Sequence, residues 1–213
     1  MAVFFRVRAA YVSLPATILG LIVAFPLWYF TFNTDLMGGF WNRMVLSVSV
    51  LGLVAFLAER REMARQLRRV DPRVLFLGVL SGLFLYILFY GGYSVLRPFL
   101  ERGASSVYLL IGDAPAAQVA ATLFYTSFCE EFFWRGFIQR NIMGYLGGLK
   151  GFLIATALYT LIHLLTLNMP LMLAALIAGF WWGLLYMLMR SLWLNISSHV
   201  IWTELVILLL PLK

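Results

Sequence analysis

Seven apolar segments recur along this chain, each close to the roughly 20 residues that cross the hydrocarbon core of a bilayer as a helix. Short polar or basic stretches separate them. This pattern predicts an all-α fold: a polytopic transmembrane helical bundle of about seven or eight helices. The predicted spans are residues 10–32, 40–58, 74–97, 116–134, 151–167, 171–189 and 191–210.

The composition agrees with a membrane protein and excludes other classes. Hydrophobic residues make up 63% of the chain and charged residues 12%, whereas about 25% of a soluble domain is charged. The unbroken apolar runs differ from the alternating strands of an outer-membrane barrel. The single cysteine excludes a disulfide framework within the chain and a Cys-based zinc cluster. We expect no nucleic-acid partner, because the net charge of +7 comes from basic loops between spans.

The chain shows no internal repeat, low-complexity tract or long linker. We therefore expect residues 1–213 to form a single integral membrane domain. Arg6 and Arg8 precede the first span, which is too long for a cleaved signal peptide and lacks a small-residue cleavage site. We expect that span to be retained as an anchor.

The basic residues predict an orientation. Short loops rich in Lys and Arg stay on the cytoplasmic side of the membrane, and loop 59–73 contains Arg60, Arg61, Arg65, Arg68, Arg69 and Arg73. We therefore expect a cytoplasmic N-terminus. Alternation of the spans then adds Arg135, Arg140, Lys150 and Arg190 to the same side, and leaves Arg97, Arg102 and Lys213 on the other. We expect the arginines of the loop to contact lipid head groups rather than a specific partner.

Two adjacent carboxylates, Glu130 and Glu131, interrupt the fourth span. Ionisable side chains within a membrane are costly and usually face a polar cavity or pair with one another. On a helix, Glu131 and Arg135 lie on one face, four residues apart, and Glu130 points about 100° away from Glu131. We expect Glu131 to pair with Arg135 in a structural role and Glu130 to face a cavity. The alternative is that both glutamates only tie helix ends together.

Both histidines of the chain lie in apolar spans. His163 follows Tyr159 by four residues, so the tyrosine ring can support the imidazole. Asn195, His199 and Thr203 are also four residues apart and form a polar stripe on the last helix. Taken alone, His163 fits a buried core residue as well as a catalytic one, and the stripe could simply hold helices together.

Together, these residues resemble the signature of the CAAX-protease and bacteriocin-processing (CPBP, or Abi) family of type II CAAX prenyl endopeptidases. That signature consists of a Glu-Glu-x-x-x-Arg motif, an aromatic-x-x-x-His motif and a late His-x-x-x-Asn or Asp motif. The matching residues are Glu130, Glu131, Arg135, Tyr159, His163 and His199. Thr203 departs from the pattern, because it stands where the family has Asn or Asp. The resemblance covers residues 116–205.

The resemblance implies an intramembrane endopeptidase that hydrolyses a peptide bond of a membrane-associated or lipid-modified protein or peptide. By resemblance, Glu130 is a general base that activates a water with His163, and His199, with Thr203 or Asn195, stabilises the oxyanion. The catalytic residues so implied are Glu130, Glu131, His163 and His199, and the supporting residues are Arg135, Tyr159, Asn195 and Thr203. We expect no cofactor and no required metal, although the four catalytic side chains could hold a divalent cation. The short chain favours a prokaryotic cytoplasmic membrane.

Two other functions stay open. The Thr203 departure favours a catalytically weak or inactive scaffold or immunity protein that binds a membrane partner. A small transporter is a third possibility, although such proteins usually show internal repeats and broken helices. The substrate, and the membrane face to which the site opens, are not predicted.

Three further residues near the motifs raise hypotheses of their own. Cys129 is expected to be a small packing residue, because the adjacent carboxylate disfavours a thiolate. Ser198 and His199 are helix neighbours and point about 100° apart, so they do not form a dyad. Glu204 is a third acid in an apolar span, and we expect it to contact Arg135 or another cation, or to lie near a cavity.

Overall fold

The structure is a computed structural model that describes residues 13–110, 112 and 114–212. Within these residues the chain is helical and contains no strand. The α-helices are α1 (Leu14–Asn33), α2 (Phe40–Ala58), α3 (Arg60–Leu67), α4 (Pro72–Leu109), α5 (Ala116–Glu131), α6 (Arg140–Leu146), α7 (Gly148–His163), α8 (Met169–Met189) and α9 (Leu192–Glu204). A π-helix, Phe132–Gln139, joins α5 to α6, a 3-10 turn, Leu164–Thr166, follows α7, and a second π-helix, Leu205–Leu209, follows α9.

Six helical segments among the described residues are long and apolar enough to cross a membrane. They are Leu14–Asn33, Phe40–Ala58, Pro72–Leu109, Gly148–Thr166, Met169–Met189 and Leu192–Leu209. The remaining predicted span, 116–134, covers α5, which has 16 residues, and the first three residues of the π-helix that continues without a break into α6. The predicted all-α, polytopic bundle is confirmed.

Two predicted boundaries were wrong. The third span was expected at 74–97, but α4 is 38 residues long and continues through Pro98 to Leu109. The stretch 59–73 was expected to be a loop, but it contains the eight-residue helix α3. This helix is amphipathic: Met63 and Gln66, three residues apart, are buried, whereas all three of its arginines are exposed. Arg6, Arg8 and Lys213 lie outside the described residues.

Helix starts follow the local cap chemistry. A side-chain oxygen before a helix accepts a hydrogen bond from a free N–H of the first turn, and proline fits the first helical positions because it lacks that N–H. Side chains of Ser13, Asp71, Asn168 and Ser191 cap α1, α4, α8 and α9 in this way. The first three of these helices also have proline in their first turn.

The bundle has two distinguishable ends. The arginine end contains α3, where the side chains of Glu59 and Arg140 form a buried ion pair and the indole of Trp193 donates to the Leu67 carbonyl at 2.9 Å. At the opposite, distal end, the Asn33 amide donates to the Leu165 carbonyl at 2.6 Å. These contacts join the start of α9 and the α6 region to α3, and the end of α1 to the end of α7. The helices therefore run alternately between the two ends.

Candidate active site

Glu131 is the centre of a buried polar network. Its Oε1 accepts hydrogen bonds from Arg135 Nη1 at 3.0 Å and from His199 Nδ1 at 2.9 Å, and its Oε2 accepts one from Asn195 Nδ2 at 3.3 Å. The side chain is fully buried. Buried charges need a close partner and satisfied hydrogen bonds to be tolerated. The ion pair predicted from the four-residue spacing of Glu131 and Arg135 is therefore present, with two further partners from α9.

Arg135 lies in the first π-helix, whose wider turn follows directly after the two glutamates. Its Nη2 donates to the Gly179 carbonyl of α8 at 3.2 Å. Its guanidinium carbon also lies 4.6 Å from the ring centroid of Tyr159 and 5.5 Å from that of Trp182. Aromatic faces attract a cation at these distances. Arg135 thus connects the glutamate pair to α7 and α8.

Glu130 points away from the Glu131 network and towards a cavity. Its Oε2 accepts a hydrogen bond from the Tyr159 hydroxyl at 3.2 Å, and its side chain lies on the cavity wall. Neighbouring residues on a helix diverge by about 100°, so the two carboxylates have separate surroundings. One carboxylate is committed to buried partners, and the other is available to a ligand.

His163 ends α7 on the same cavity wall. Its Nδ1 lies 2.7 Å from the Tyr159 carbonyl oxygen. Because a carbonyl oxygen only accepts hydrogen bonds, Nδ1 carries the proton, and in the neutral ring Nε2 is the acceptor. The imidazole ring also contacts the Trp28 ring in a T-shaped arrangement, with ring centroids 5.3 Å apart. These contacts fix the ring and leave Nε2 for a water or a substrate.

His199 faces the cavity from α9. Its ring stacks on the indole of Trp182, with centroids 3.8 Å apart and planes 22° apart. Since Nδ1 donates to Glu131, Nε2 is the ring nitrogen left for a ligand. The Trp182 indole N–H in turn donates to Ser198 Oγ at 3.2 Å. His199 is therefore held on one edge by a carboxylate and on one face by an aromatic ring.

The cavity has a volume of about 160 Å³, enough for several water molecules. Most of its wall is apolar and comes from α1, α2, α4, α5, α8 and α9. The polar groups on it include Glu130, Tyr159, His163, His199 and Thr203. A carboxylate and two imidazoles in an apolar, partly enclosed space can bind water, move a proton and stabilise a developing charge.

Residues 112–204 match the family model described as Type II CAAX prenyl endopeptidase Rce1-like. The family resemblance is confirmed for this segment. Its candidate membrane spans indicate that the chain is an integral, multi-pass membrane protein, and its segment 112–204 is similar to this family. Comparisons with curated proteins and with solved structures found no significant match.

The polar stripe predicted on α9 lies only partly on the cavity wall. Thr203 lies on the cavity wall, and its hydroxyl is 3.5 Å from that of Ser127. Asn195 is fully buried behind Glu131, where its amide also donates to the Trp182 carbonyl at 2.7 Å. Asn195 therefore helps to position Glu131 and is not on the cavity wall.

The expected contact between Glu204 and Arg135 is not formed. Arg135 is occupied by Glu131 and Gly179, whereas Glu204 is partly exposed and forms no hydrogen bond or ion pair with the residues that the structure describes. Adjacent helix residues diverge by about 100°. Because Thr203 faces the cavity, Glu204 is directed away from it.

Sequence reasoning missed Trp182 and Trp28. Trp182 stacks on His199 and accepts a hydrogen bond from Asn195, and Trp28 packs against His163. Both are about 1% exposed. Tryptophan is frequent in membrane proteins, and the Trp181–Trp182 pair gives no indication of which ring faces the site. Both tryptophans of the pair lie between Gly179 and Gly183, so these glycines do not identify the ring that faces the site either.

Among the described residues, no three His, Cys, Asp or Glu side chains come together as a group of metal ligands. Oε1 of Glu131 and Nδ1 of His199 are joined by a hydrogen bond. Cys129 is buried in the main apolar cluster, as expected of a packing residue.

Proposed function

We propose that the protein is an intramembrane endopeptidase that hydrolyses a peptide bond of a membrane-associated or lipid-modified protein or peptide. One observation supports this proposal above the others: Glu130, His163 and His199 lie on the wall of one cavity among the helices, which is large enough for several water molecules. The family match of residues 112–204 supports the same reaction class. We infer that the nucleophile is water.

In the proposed reaction, the Glu130 carboxylate accepts a proton from a water that His163 Nε2 also holds. The resulting hydroxide attacks the carbonyl carbon of the scissile bond. The Tyr159 hydroxyl, 3.2 Å from Glu130 Oε2, orients the carboxylate. When the tetrahedral intermediate collapses, the C–N bond breaks and Glu130 returns its proton to the leaving amine. One water is consumed, and a carboxylate and an amine are released.

His199 is the proposed donor to the oxyanion of the intermediate, through Nε2 in its protonated form. Loss of one oxyanion donor typically raises the barrier by about 2.7–4 kcal/mol. The Glu131 carboxylate fixes the ring through Nδ1, and Arg135 and Asn195 fix the carboxylate. In this proposal, Glu131 acts on the reaction through His199 and does not contact the substrate.

The test is proteolysis in reconstituted membranes. Candidate membrane-anchored and lipid-modified peptides are incubated with wild type, Glu130→Gln and His163→Ala, and products are identified by mass spectrometry. Glu204→Gln is the matched control, because it makes the same Glu→Gln change at an acid of another helix, α9, that lies off the cavity wall.

We expect cleavage by wild type and by Glu204→Gln, and a loss of at least a hundredfold in Glu130→Gln and His163→Ala proteins that remain folded. Cleavage that survives Glu130→Gln contradicts the assigned mechanism. The product masses give the position of the cut.

A scaffold that binds a membrane peptide without cutting it is the second candidate, and Thr203 is the observation in its favour. A threonine hydroxyl reaches less far into the cavity than the amide of Asn. We expect Thr203→Asn to increase the cleavage rate several-fold if the site is an active but weak peptidase. Peptide binding without cleavage by both wild type and Thr203→Asn favours the scaffold.

A further inference from the structure

We infer that the cavity opens to the non-cytoplasmic side of the membrane, so that its substrate is a membrane-anchored peptide whose scissile bond has already been translocated. The position of the cavity and the distribution of charge carry this inference. The statement about substrate rests on the proposed function, whereas the orientation of the cavity does not.

The cavity occupies the half of the bundle away from α3. The wall residues from α2 are in its first two turns, and those from α4 are at its last turn and the residue after it. The first turns of α8 and the last residue of α7 also contribute. These residues are Phe40, Trp41, Met44, Val107, Leu110, Leu171 and His163. All of them lie towards the distal end. The end of α2 and the start of α4 adjoin α3 at the arginine end, so the start of α2 and the end of α4 are distal.

Exposure increases along the cavity towards the distal end. Trp182 and His199, in the middle of the bundle, are 1% and 5% exposed. Leu110, which follows the last turn of α4, is 36% exposed, and Leu171 near the start of α8 is partly exposed. Leu110 is the most exposed residue of the cavity wall, and we therefore place the mouth of the cavity at the distal end.

The other half of the bundle is closed by packed side chains. Between Glu130 and the arginine end, the π-helix directs Phe133, Phe137 and Ile138 into the core, and all three are fully buried. Gln139 Nε2 then donates to the Gly183 carbonyl at 2.7 Å, and Arg140 pairs with Glu59. A substrate approaching from the arginine end would have to break these contacts.

The charges orient the two ends. The described basic residues at the arginine end are Arg60, Arg61, Arg65, Arg68, Arg69, Arg73, Arg140, Lys150 and Arg190. Those towards the distal end are Arg43, Arg97 and Arg102, and Arg43 is buried with its guanidinium on backbone carbonyls. Basic residues near short loops are retained on the cytoplasmic side. The arginine end is therefore cytoplasmic, and the mouth of the cavity faces the opposite compartment.

Cysteine labelling tests the orientation without any assay of activity. Leu171→Cys places a thiol at the mouth, and Arg61→Cys places one on the exposed face of α3. The wild type is the blank, because its single cysteine, Cys129, is buried. Each variant is produced in a bacterial cytoplasmic membrane and treated with a small, charged, membrane-impermeant thiol reagent. Spheroplasts expose the outer face, inverted vesicles expose the cytoplasmic face, and denatured protein gives the total label.

We expect Leu171→Cys to react at least tenfold faster in spheroplasts than in inverted vesicles, and Arg61→Cys to show the reverse. Reaction of both thiols from the same side overturns the inference. So does a native Leu171→Cys that resists the reagent from both sides while its denatured form reacts, because the mouth is then closed to water.

A second arm separates this inference from the proposed function. Peptides anchored in proteoliposomes with their scissile segment on one known face are presented to protein of known orientation. Cleavage of peptides displayed only on the distal side supports the substrate class, and cleavage only on the arginine side overturns it. Outside labelling of Leu171→Cys with no cleavage on either face leaves the orientation standing and counts against the peptidase.

Discussion

At the residue scale, one carboxylate organises the site. Glu131 accepts hydrogen bonds from Arg135, His199 and Asn195, and its side chain is fully buried. We expect Glu131→Gln to destabilise the fold by about 3–5 kcal/mol, because it leaves the Arg135 guanidinium buried without its counter-charge. Thermal or denaturant unfolding in detergent micelles measures the change.

The control is Glu62→Gln. Glu62 also pairs with an arginine, Arg65 at 2.7 Å, but the arginine side chain is 50% exposed. Surface pairs of this kind contribute about 0–1 kcal/mol. Equal effects of Glu131→Gln and Glu62→Gln would show that the buried network is not the main stabilising feature of the site.

The Tyr159 hydroxyl can be separated from its ring. In Tyr159→Phe the ring that lies beside Arg135 and His163 remains, while the hydrogen bond to Glu130 is lost. A hydrogen bond to a charged group contributes about 1.5–3 kcal/mol to stability, so we expect the free energy of unfolding to fall by up to about that amount. Because Glu130 also loses the group that orients it, we expect the cleavage rate of the folded variant to fall roughly tenfold. An undiminished rate would remove the hydroxyl from the proposed mechanism.

Tyr125→Phe is the matched change on α5. The Tyr125 hydroxyl lies 2.8 Å from Ser49 Oγ, and the residue is 40% exposed and away from the cavity. We expect this variant to keep the wild-type cleavage rate.

The sequence predicts those residues of the site that local helix geometry places. Four-residue spacing predicted the Glu131–Arg135 pair, and the 100° offset predicted that Glu130 would point elsewhere. Contacts between helices were not predictable: Asn195 and His199 meet Glu131 across 64 and 68 residues of chain. Which of two adjacent tryptophans faces His199 depends on the rotation of α8, and apolar composition on all sides leaves that rotation undetermined.

At the scale of helices, α9 is positioned by close contact with α4. A Cβ atom added at Gly82 would lie 2.6 Å from the Ser198 carbonyl oxygen and 2.9 Å from Ile201 Cβ. Both neighbours are part of the helix that carries His199. Small residues allow such close backbone approach between membrane helices.

We expect Gly82→Ala to destabilise the protein by about 1–3 kcal/mol, because the added methyl forces α4 and α9 apart. It should also lower the cleavage rate by moving His199. Gly91→Ala, in the same helix, is the control, since a Cβ there meets nothing within 4 Å. Unfolding in micelles compares the two, and a Gly82→Ala protein as stable as Gly91→Ala contradicts the close-packing argument.

At the scale of the whole molecule, one half of the bundle is tightly packed and the other half contains the cavity. The half near α3 contains the buried Glu59–Arg140 pair and the packed aromatic rings of the π-helix. The distal half contains the cavity with its carboxylate and imidazoles. The sequence predicted the all-helical bundle, and six of its seven predicted spans correspond to helices long and apolar enough to cross a membrane, because length and composition determine both. It could not predict at which end the cavity lies, because that depends on the depth of each motif within its helix.

If basic residues set the orientation, their removal should disturb it. We expect simultaneous Arg60→Gln, Arg61→Gln, Arg68→Gln and Arg69→Gln changes to produce a mixed population, because the four arginines supply much of the charge difference between the ends. None of the four forms an ion pair with another described residue, so their loss should cost little folding energy. Combined with the Leu171→Cys thiol, the change should yield label from both faces.

The control is Arg97→Gln with Arg102→Gln, which removes charge from the distal side and should keep the wild-type orientation. A quadruple variant that is labelled only from the outer face would show that features other than these arginines orient the bundle.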